Sequence, residues 1–119
     1  MKIVNIRTFV PSKDFEVSKQ FYKDLGFDLQ WYDDQLAIFG SKTQNFFLQN
    51  YYSKEWAENF MMQIHVEDLD EAFSLAESLT HKYKDTKIND IFEAGYGRTF
   101  HLIGPAGELW HFTEEQVWE

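Results

Sequence analysis

The sequence predicts an α+β fold built from two βαβββ modules. Runs with strand period and runs with helix period follow one another as strand, helix, three strands, and that order occurs twice. Sliding the chain until Asp14 falls on Asp68 also lays Phe15 on Leu69, Phe21 on Leu75 and Leu25 on Leu79, the mark of an internal duplication. The last stretch, residues 98–114, carries two alternating apolar runs on either side of a Gly-Pro-Ala-Gly turn, so it reads as an antiparallel hairpin.

Each element follows from local pattern. Residues 2–10, KIVNIRTFV, alternate as a strand, with Val4, Ile6, Thr8 and Val10 on one side and Ile3, Asn5, Arg7 and Phe9 on the other. Pro11 and Ser12 end it, and Asp14 offers an N-cap. A helix then runs to Leu25, with Val17, Phe21 and Leu25 on one stripe and Tyr22 beside it, and Gly26 stops it in the left-handed conformation. Residues 28–33 and 36–40 are strands joined through Asp33-Asp34-Gln35, and residues 44–52 are a third. Residues 53–60 have no clear period and read as a connector or a single helical turn. The pattern restarts with the strand MMQIHV, residues 61–66. Asp68 caps a second helix with Leu69, Ala72, Phe73, Ala76 and Leu79 as its stripe. Residues 81–87 form a charged loop, residues 88–94 a short strand, and Gly95-Tyr96-Gly97 a turn into the hairpin.

In that hairpin Pro105 fixes its own φ while Gly104 and Gly107 tolerate φ > 0, which reverses the chain. Alternation puts Phe100, Leu102, Trp110 and Phe112 on a face that needs covering. His101, Ile103, Leu109, His111 and Thr113 share the other face, where function is expected. Neither half is large enough to bury its sheet alone.

Eleven Lys and Arg against twenty Asp and Glu give a net charge of −9. Such a chain repels phosphate backbones, so nucleic acid is not an expected partner. The same field draws in cationic ligands, or simply keeps the protein soluble. No apolar run approaches a membrane span, and no signal peptide is expected. Cysteine is absent, which excludes disulfides, thiol chemistry and thiolate zinc sites and fits a cytoplasmic protein. No Ser-His-Asp spacing and no phosphate loop is visible.

The segment SKDFEVSKQFYKDLGFDL resembles the opening signature of the glyoxalase/bleomycin-resistance/dioxygenase superfamily, the vicinal oxygen chelate fold, with FYKDLGF its most specific piece. HVEDLDEAF resembles the opening of that family's second module. GPAGELWHFTE resembles its closing turn, with Gly104 and Ala106 where Asp is usual. FVPSKDFEVSKQFY is most similar to the bleomycin-resistance branch. The resemblance implies one domain of paired βαβββ modules whose curved mixed sheets surround a cleft, usually in a homodimer: module one over 1–52, a connector over 53–60, module two over 61–114 and a tail over 115–119.

Enzymes of the family hold a divalent metal in the cleft with His and Glu ligands. Those ligand positions fall here on Arg7, Gln49, Met61 and His111. Arg is permanently cationic and repels a divalent ion. Met is too soft for a metal held by oxygen and nitrogen. The resemblance therefore implies no metal and no cofactor. It also places Tyr96 where relatives carry a groove-lining Trp, and Trp31, Tyr32 and Asp33 near other groove residues.

From the residues alone, parity places His65, His101 and His111 toward one face. Imidazoles from neighbouring strands can form a metal site or an acid/base pair, or be ordinary strand histidines. Trp31, Tyr32, Phe39, Phe47, Tyr51, Tyr52, Trp56, Phe60 and Tyr96 supply core, dimer packing or stacking surface. With Asp33, Asp34 and Glu93 nearby, an aromatic slot would suit a flat cation.

The reading is a metal-free, dimeric protein that sequesters a small molecule without changing it. Arg7, Gln49, Gln63, His65, His101 and His111 line its cleft floor, while Trp31, Tyr32, Asp33 and Tyr96 border the ligand. The second reading is a metal-dependent lyase, isomerase or dioxygenase with His111 catalytic in a rebuilt site. The third is a purely structural or interaction module.

Overall fold

A computed structural model of the chain describes residues 1–115; residues 116–119, the end of the expected tail, lie outside the described residues. The first sheet contains β1 (Phe9–Pro11), β2 (Asp28–Tyr32), β3 (Leu36–Gly40) and β4 (Asn45–Gln49) in the order β1-β4-β3-β2. Helix α1 (Phe15–Asp24) starts where Asp14 Oδ1 accepts from the Val17 N–H at 3.2 Å, as an N-cap should. Past its end, Gly26 takes φ of 110°, a left-handed value that favours glycine. Phe15, Ser18, Phe21, Tyr22 and Leu25 are buried along the helix, while Val17 is exposed. The large rings of Phe15 and Tyr22 set the buried arc, and Val17 lies outside it.

The first strand is far shorter than the expected span of 2–10. β1 pairs with β4 in parallel through Phe9↔Phe47, Val10↔Leu48 and Pro11↔Gln49, and β4 begins only at Asn45. Earlier residues have no ladder partner there, so alternation alone does not make them a strand. The third strand likewise ends at Gln49, leaving Tyr51 and Tyr52 exposed.

Helix α2 (Lys54–Asn59), capped by Ser53, occupies the connector. The second sheet then forms from β5 (Met61–Val66), β6 (Lys87–Ile88), β7 (Phe92–Ala94), β8 (Gly97–Ile103) and β9 (Leu109–Glu114), in the order β5-β9-β8-β6 with β7 also on β8. Helix α3 (Leu69–Lys82) is capped by Asp68 and extends into residues expected as loop. The strand expected over 88–94 is broken because Asn89 turns its side chain to the ladder: Asn89 Oδ1 accepts from the His101 N–H at 2.7 Å. β8 and β9 form the expected hairpin, with Phe100↔Phe112 and Leu102↔Trp110 on the covered face.

The core joins the two halves. Val10, Ala37, Phe39, Phe46 and Leu48 from the first sheet meet Phe100, Leu102, Trp110 and Phe112 from the second through α1 and α3. Tyr22 is the hinge of this packing: its ring stands 5.4 Å from Phe46, 6.0 Å from Phe39 and 5.7 Å from Trp110. Its hydroxyl donates to Glu108 Oε2 at 2.6 Å and accepts from Trp110 Nε1 at 2.9 Å. Glu108, in the tight turn before β9, is wholly buried, and its Oε1 accepts from the Ala106 N–H at 2.8 Å. Covering these inner faces leaves each sheet with a second face that the chain itself does not fill.

Candidate functional site

The second face of the β5-β9-β8 sheet carries the residues that parity singled out. Met61↔Leu109, Gln63↔His111 and His65↔Thr113 are register partners, as are Thr99↔Thr113 and His101↔His111. A chain of hydrogen bonds crosses it: His65 Nε2 lies 2.8 Å from Gln63 Oε1, Gln63 Nε2 donates to Thr113 Oγ1 at 3.2 Å, and the hydroxyls of Thr113 and Thr99 are 3.2 Å apart. The rings of His101 and His111 stand edge to face with centroids 4.3 Å apart, and Phe92 closes on His101 at 5.3 Å. Both ring nitrogens of His111 are buried without a hydrogen-bond partner. Burial first, and the His111 ring second, hold His101 below the ordinary histidine pKa, so its imidazole favours the neutral form.

The second face of the first sheet is apolar with a polar margin. Phe9, Phe47, Ile38 and Trp31 lie in one register row. Phe9 and Phe47 stack at 4.8 Å. Arg7 lies over Phe47 at 5.3 Å and its Nε donates to Asn45 Oδ1 at 2.6 Å. Gln49 shares this face, two residues along from Phe47. Sequence reasoning singled out neither Asn45 nor Phe9 and Ile38, although the parity of β4 and β3 was enough to place them.

The expected residues therefore divide into groups. Gln63, His65, His101 and His111 come together on one sheet; Arg7, Gln49 and Trp31 stand apart from one another along the second face of the other. Tyr32 turns to the opposite side of its strand, where Lys19 lies over its ring at 4.4 Å. Asp33 is held in its turn, accepting from the Gln35 and Leu36 N–H groups at 2.8 and 2.9 Å, bonds that keep its carboxyl below the usual pKa. Tyr96 is exposed at the turn between β7 and β8.

A cavity of about 360 Å³ touches both halves, between Asn45, Gln44 and Ile6 on one side and Gln63 and His65 on the other. It does not include Arg7, Gln49, Met61, His101 or His111. A larger hollow of about 530 Å³, which shares Phe27 and Ile64 with the first, is floored by Leu25, Phe27, Ile64 and Phe112. None of the expected site residues lines it.

The four positions that resemblance assigns to a divalent metal do not fit one. Arg7 brings a guanidinium already bonded to Asn45, Gln49 lies on the same sheet, and Met61 and His111 lie on the other. Among the described residues, no group of three or more His, Asp or Glu side chains is placed to hold a metal ion. No helix there is long and apolar enough to cross a membrane.

No protein-family model matches the chain, and no curated protein sequence matches it. Solved structures do. A bleomycin-binding protein from the bleomycin-producing Streptomyces verticillus, complexed with copper(II)-bleomycin, is 22% identical at a TM-score of 0.75, covering 98% of this chain and 99% of its own. A bleomycin resistance determinant encoded on the transposon Tn5 is 23% identical at 0.74, covering 95% and 99%. Lactoylglutathione lyase from Agrobacterium tumefaciens is 16% identical at 0.71, covering 98% of each chain. The fold is thus the bleomycin-resistance/glyoxalase fold, the fold that the resemblance read from FYKDLGF and the closing turn implied.

Proposed function

We propose that the chain is a ligand-sequestering protein without a resident metal, binding a small molecule between the second faces of its two sheets when two copies pair. In this reading residues 1–52 and 61–114 are modules joined by 53–60, and the ligand is a cationic aromatic compound such as the bleomycin that two of the similar proteins are named for. The observation that carries it is the pair of second faces. One offers a half-open aromatic row ending in Trp31; the other offers Gln63, His65, His101 and His111. Together these supply stacking and a few polar contacts, the usual composition of a ligand site. Pairing would cover Phe9 and Trp31, which are 41% and 48% exposed and costly to leave wet.

Catalysis by His111 is less well supported. A general base needs a partner that orients it, and neither nitrogen of His111 has one.

Calorimetric titration of the protein with metal-free bleomycin tests the reading. Saturable binding with unaltered ligand recovered afterwards is expected, together with a dimer in analytical ultracentrifugation. Trp31→Ala removes an exposed stacking surface without touching the core and should weaken binding by about tenfold. Stoichiometric Ni, Zn, Mn or Fe in the purified protein, or chemical turnover of a bound ligand, would overturn it.

A further inference from the structure

A chain of hydrogen bonds runs from the interior of the second sheet out to His65, and its buried end fixes which way every bond points. Thr99 Oγ1 donates its one proton to the Gly97 carbonyl at 3.2 Å, and a carbonyl only accepts. The Thr113 hydroxyl, 3.2 Å from Thr99 Oγ1, is therefore the donor between the two. With that proton spent, Thr113 Oγ1 accepts from Gln63 Nε2 at 3.2 Å. The amide then turns Oε1 to His65, where it accepts from Nε2 at 2.8 Å. The opposite sense takes the Thr99 proton away from the Gly97 carbonyl. Thr99 and Thr113 are wholly buried, so a bond given up there is costly. The neutral imidazole of His65 thus carries its proton on Nε2 and keeps Nδ1 as a bare acceptor.

His65 lines the cavity of about 360 Å³ between the two halves. None of the four positions that the resemblance assigns to a metal borders that cavity. Phe27, Phe46, Met62 and Trp110 give it apolar walls. The three rings already pack on one another, with centroids 5.2 Å apart for Phe27–Phe46, 5.4 Å for Phe46–Trp110 and 6.2 Å for Phe27–Trp110. A further ring continues the same packing. Among the described residues no Asp, Glu, Lys or Arg side chain lines the cavity, so a charged guest gives up water without gaining a counter-ion. Asn45 Oδ1 already accepts from Asn5 and Arg7, and Gln63 Oε1 from His65. Gln44 also borders the cavity, through a side chain that the network does not hold. His65 Nδ1 is the acceptor that the fold presents in a fixed orientation. The volume sits at the small end of the roughly 300–1,000 Å³ usual for ligand sites, which suits a single small ring system.

We propose that this cavity binds an uncharged aromatic ring bearing an N–H or O–H donor, and that His65 Nδ1 reads that donor. Thr99, Thr113 and Gln63 are positioning residues that act through the ring of His65. The site lies within one chain and needs no second copy, so it goes beyond the sequestration reading.

Long-range proton–nitrogen NMR of the untagged protein, together with titration by indole and 1-methylindole, tests the proposal. The His65 signals are identified by their loss in His65→Leu. The expected spectrum is that of the Nε2-protonated tautomer, with the Nδ1 resonance shifting as indole is added. Indole should bind about fivefold more tightly than 1-methylindole, which fills the same space without a donor. That preference should vanish in His65→Leu. Thr99→Val should reduce it and mix the two tautomers, because the amide of Gln63 is then free to turn over. His65 is exposed, so His65→Leu keeps the test open if Thr99→Val does not fold. A parent protein protonated on Nδ1, equal affinity for the two rings, an unchanged tautomer in folded Thr99→Val, or no indole binding at millimolar concentration overturns the proposal. Indole binding without bleomycin binding supports the site and removes bleomycin from the sequestration reading. Bleomycin binding without indole binding does the reverse.

Discussion

Tyr22→Ala is expected to leave almost no folded protein at 25 °C. Tyr22 is wholly buried, and its ring touches aromatic neighbours from both sheets. Truncating a large buried aromatic costs about 3–5 kcal/mol through lost burial and the cavity left behind. The same change strips Glu108 Oε2 and Trp110 Nε1 of their shared partner. Each buried polar group left unsatisfied adds roughly 1–3 kcal/mol. The total is comparable with the entire stability of a domain this size, about 5–15 kcal/mol. Tyr22→Phe separates the two contributions: the ring stays, and the loss should be about 2–6 kcal/mol from the two partners left unsatisfied. Urea unfolding followed by circular dichroism measures both. A Tyr22→Ala protein that unfolds cooperatively within about 1 kcal/mol of the parent would show that the halves are held together elsewhere.

The contrast between Tyr22 and the hairpin shows what the sequence could disclose. Residues 98–114 alternate strictly, so the faces of β8 and β9 were legible, as were the caps at Asp14 and Asp68. These are local patterns. Strand pairing is not, which is why residues 2–8 read as strand but lack a partner once β4 begins at Asn45. The Tyr22–Glu108 contact spans 86 positions, and nothing near Glu108 marks it as buried; its turn reads as a surface turn.

The site divides along the same line. Gln63, His101 and His111 follow from parity within one sheet. The resemblance places Tyr32 with Trp31 near the groove, yet neighbours in a strand point to opposite faces. Asp33 carries the signal of a turn residue as strongly as that of a ligand contact, and its bonds to Gln35 and Leu36 place it in the turn. The spatial relation between the two second faces rests on long-range packing, which no local pattern encodes.

Glu108→Gln is expected to remove a pH dependence that the parent protein carries through neutrality. Burial pushes the Glu108 carboxyl up to about 7, against the Tyr22 hydroxyl and the N–H groups of Glu108, Ala106 and Gly107, which favour the ionised form. The carboxyl is wholly buried and packs against Gly104, where an added Cβ would come within 2.6 Å of Cδ. In the unfolded chain the same group ionises near 4.5. Between those values the folded state holds the proton more tightly, so stability is greatest at and below the unfolded pKa and falls as pH rises to about 7. The full loss above neutrality is roughly 3 kcal/mol. His101 works in the opposite sense, since its lowered pKa contributes stability that is lost as pH falls through the ordinary histidine range. Asp24, held near 2 by Lys82, Tyr83 and Gln20, loses its contribution only in stronger acid. Both groups are common to the two proteins and cancel in the difference between them. Glutamine carries no charge at any of these pH values and nearly the same shape. The variant should therefore gain on the parent by about 3 kcal/mol between roughly pH 4.5 and pH 8 in urea unfolding. Parallel pH profiles for the two proteins would mean that Glu108 is solvated or already protonated across that range.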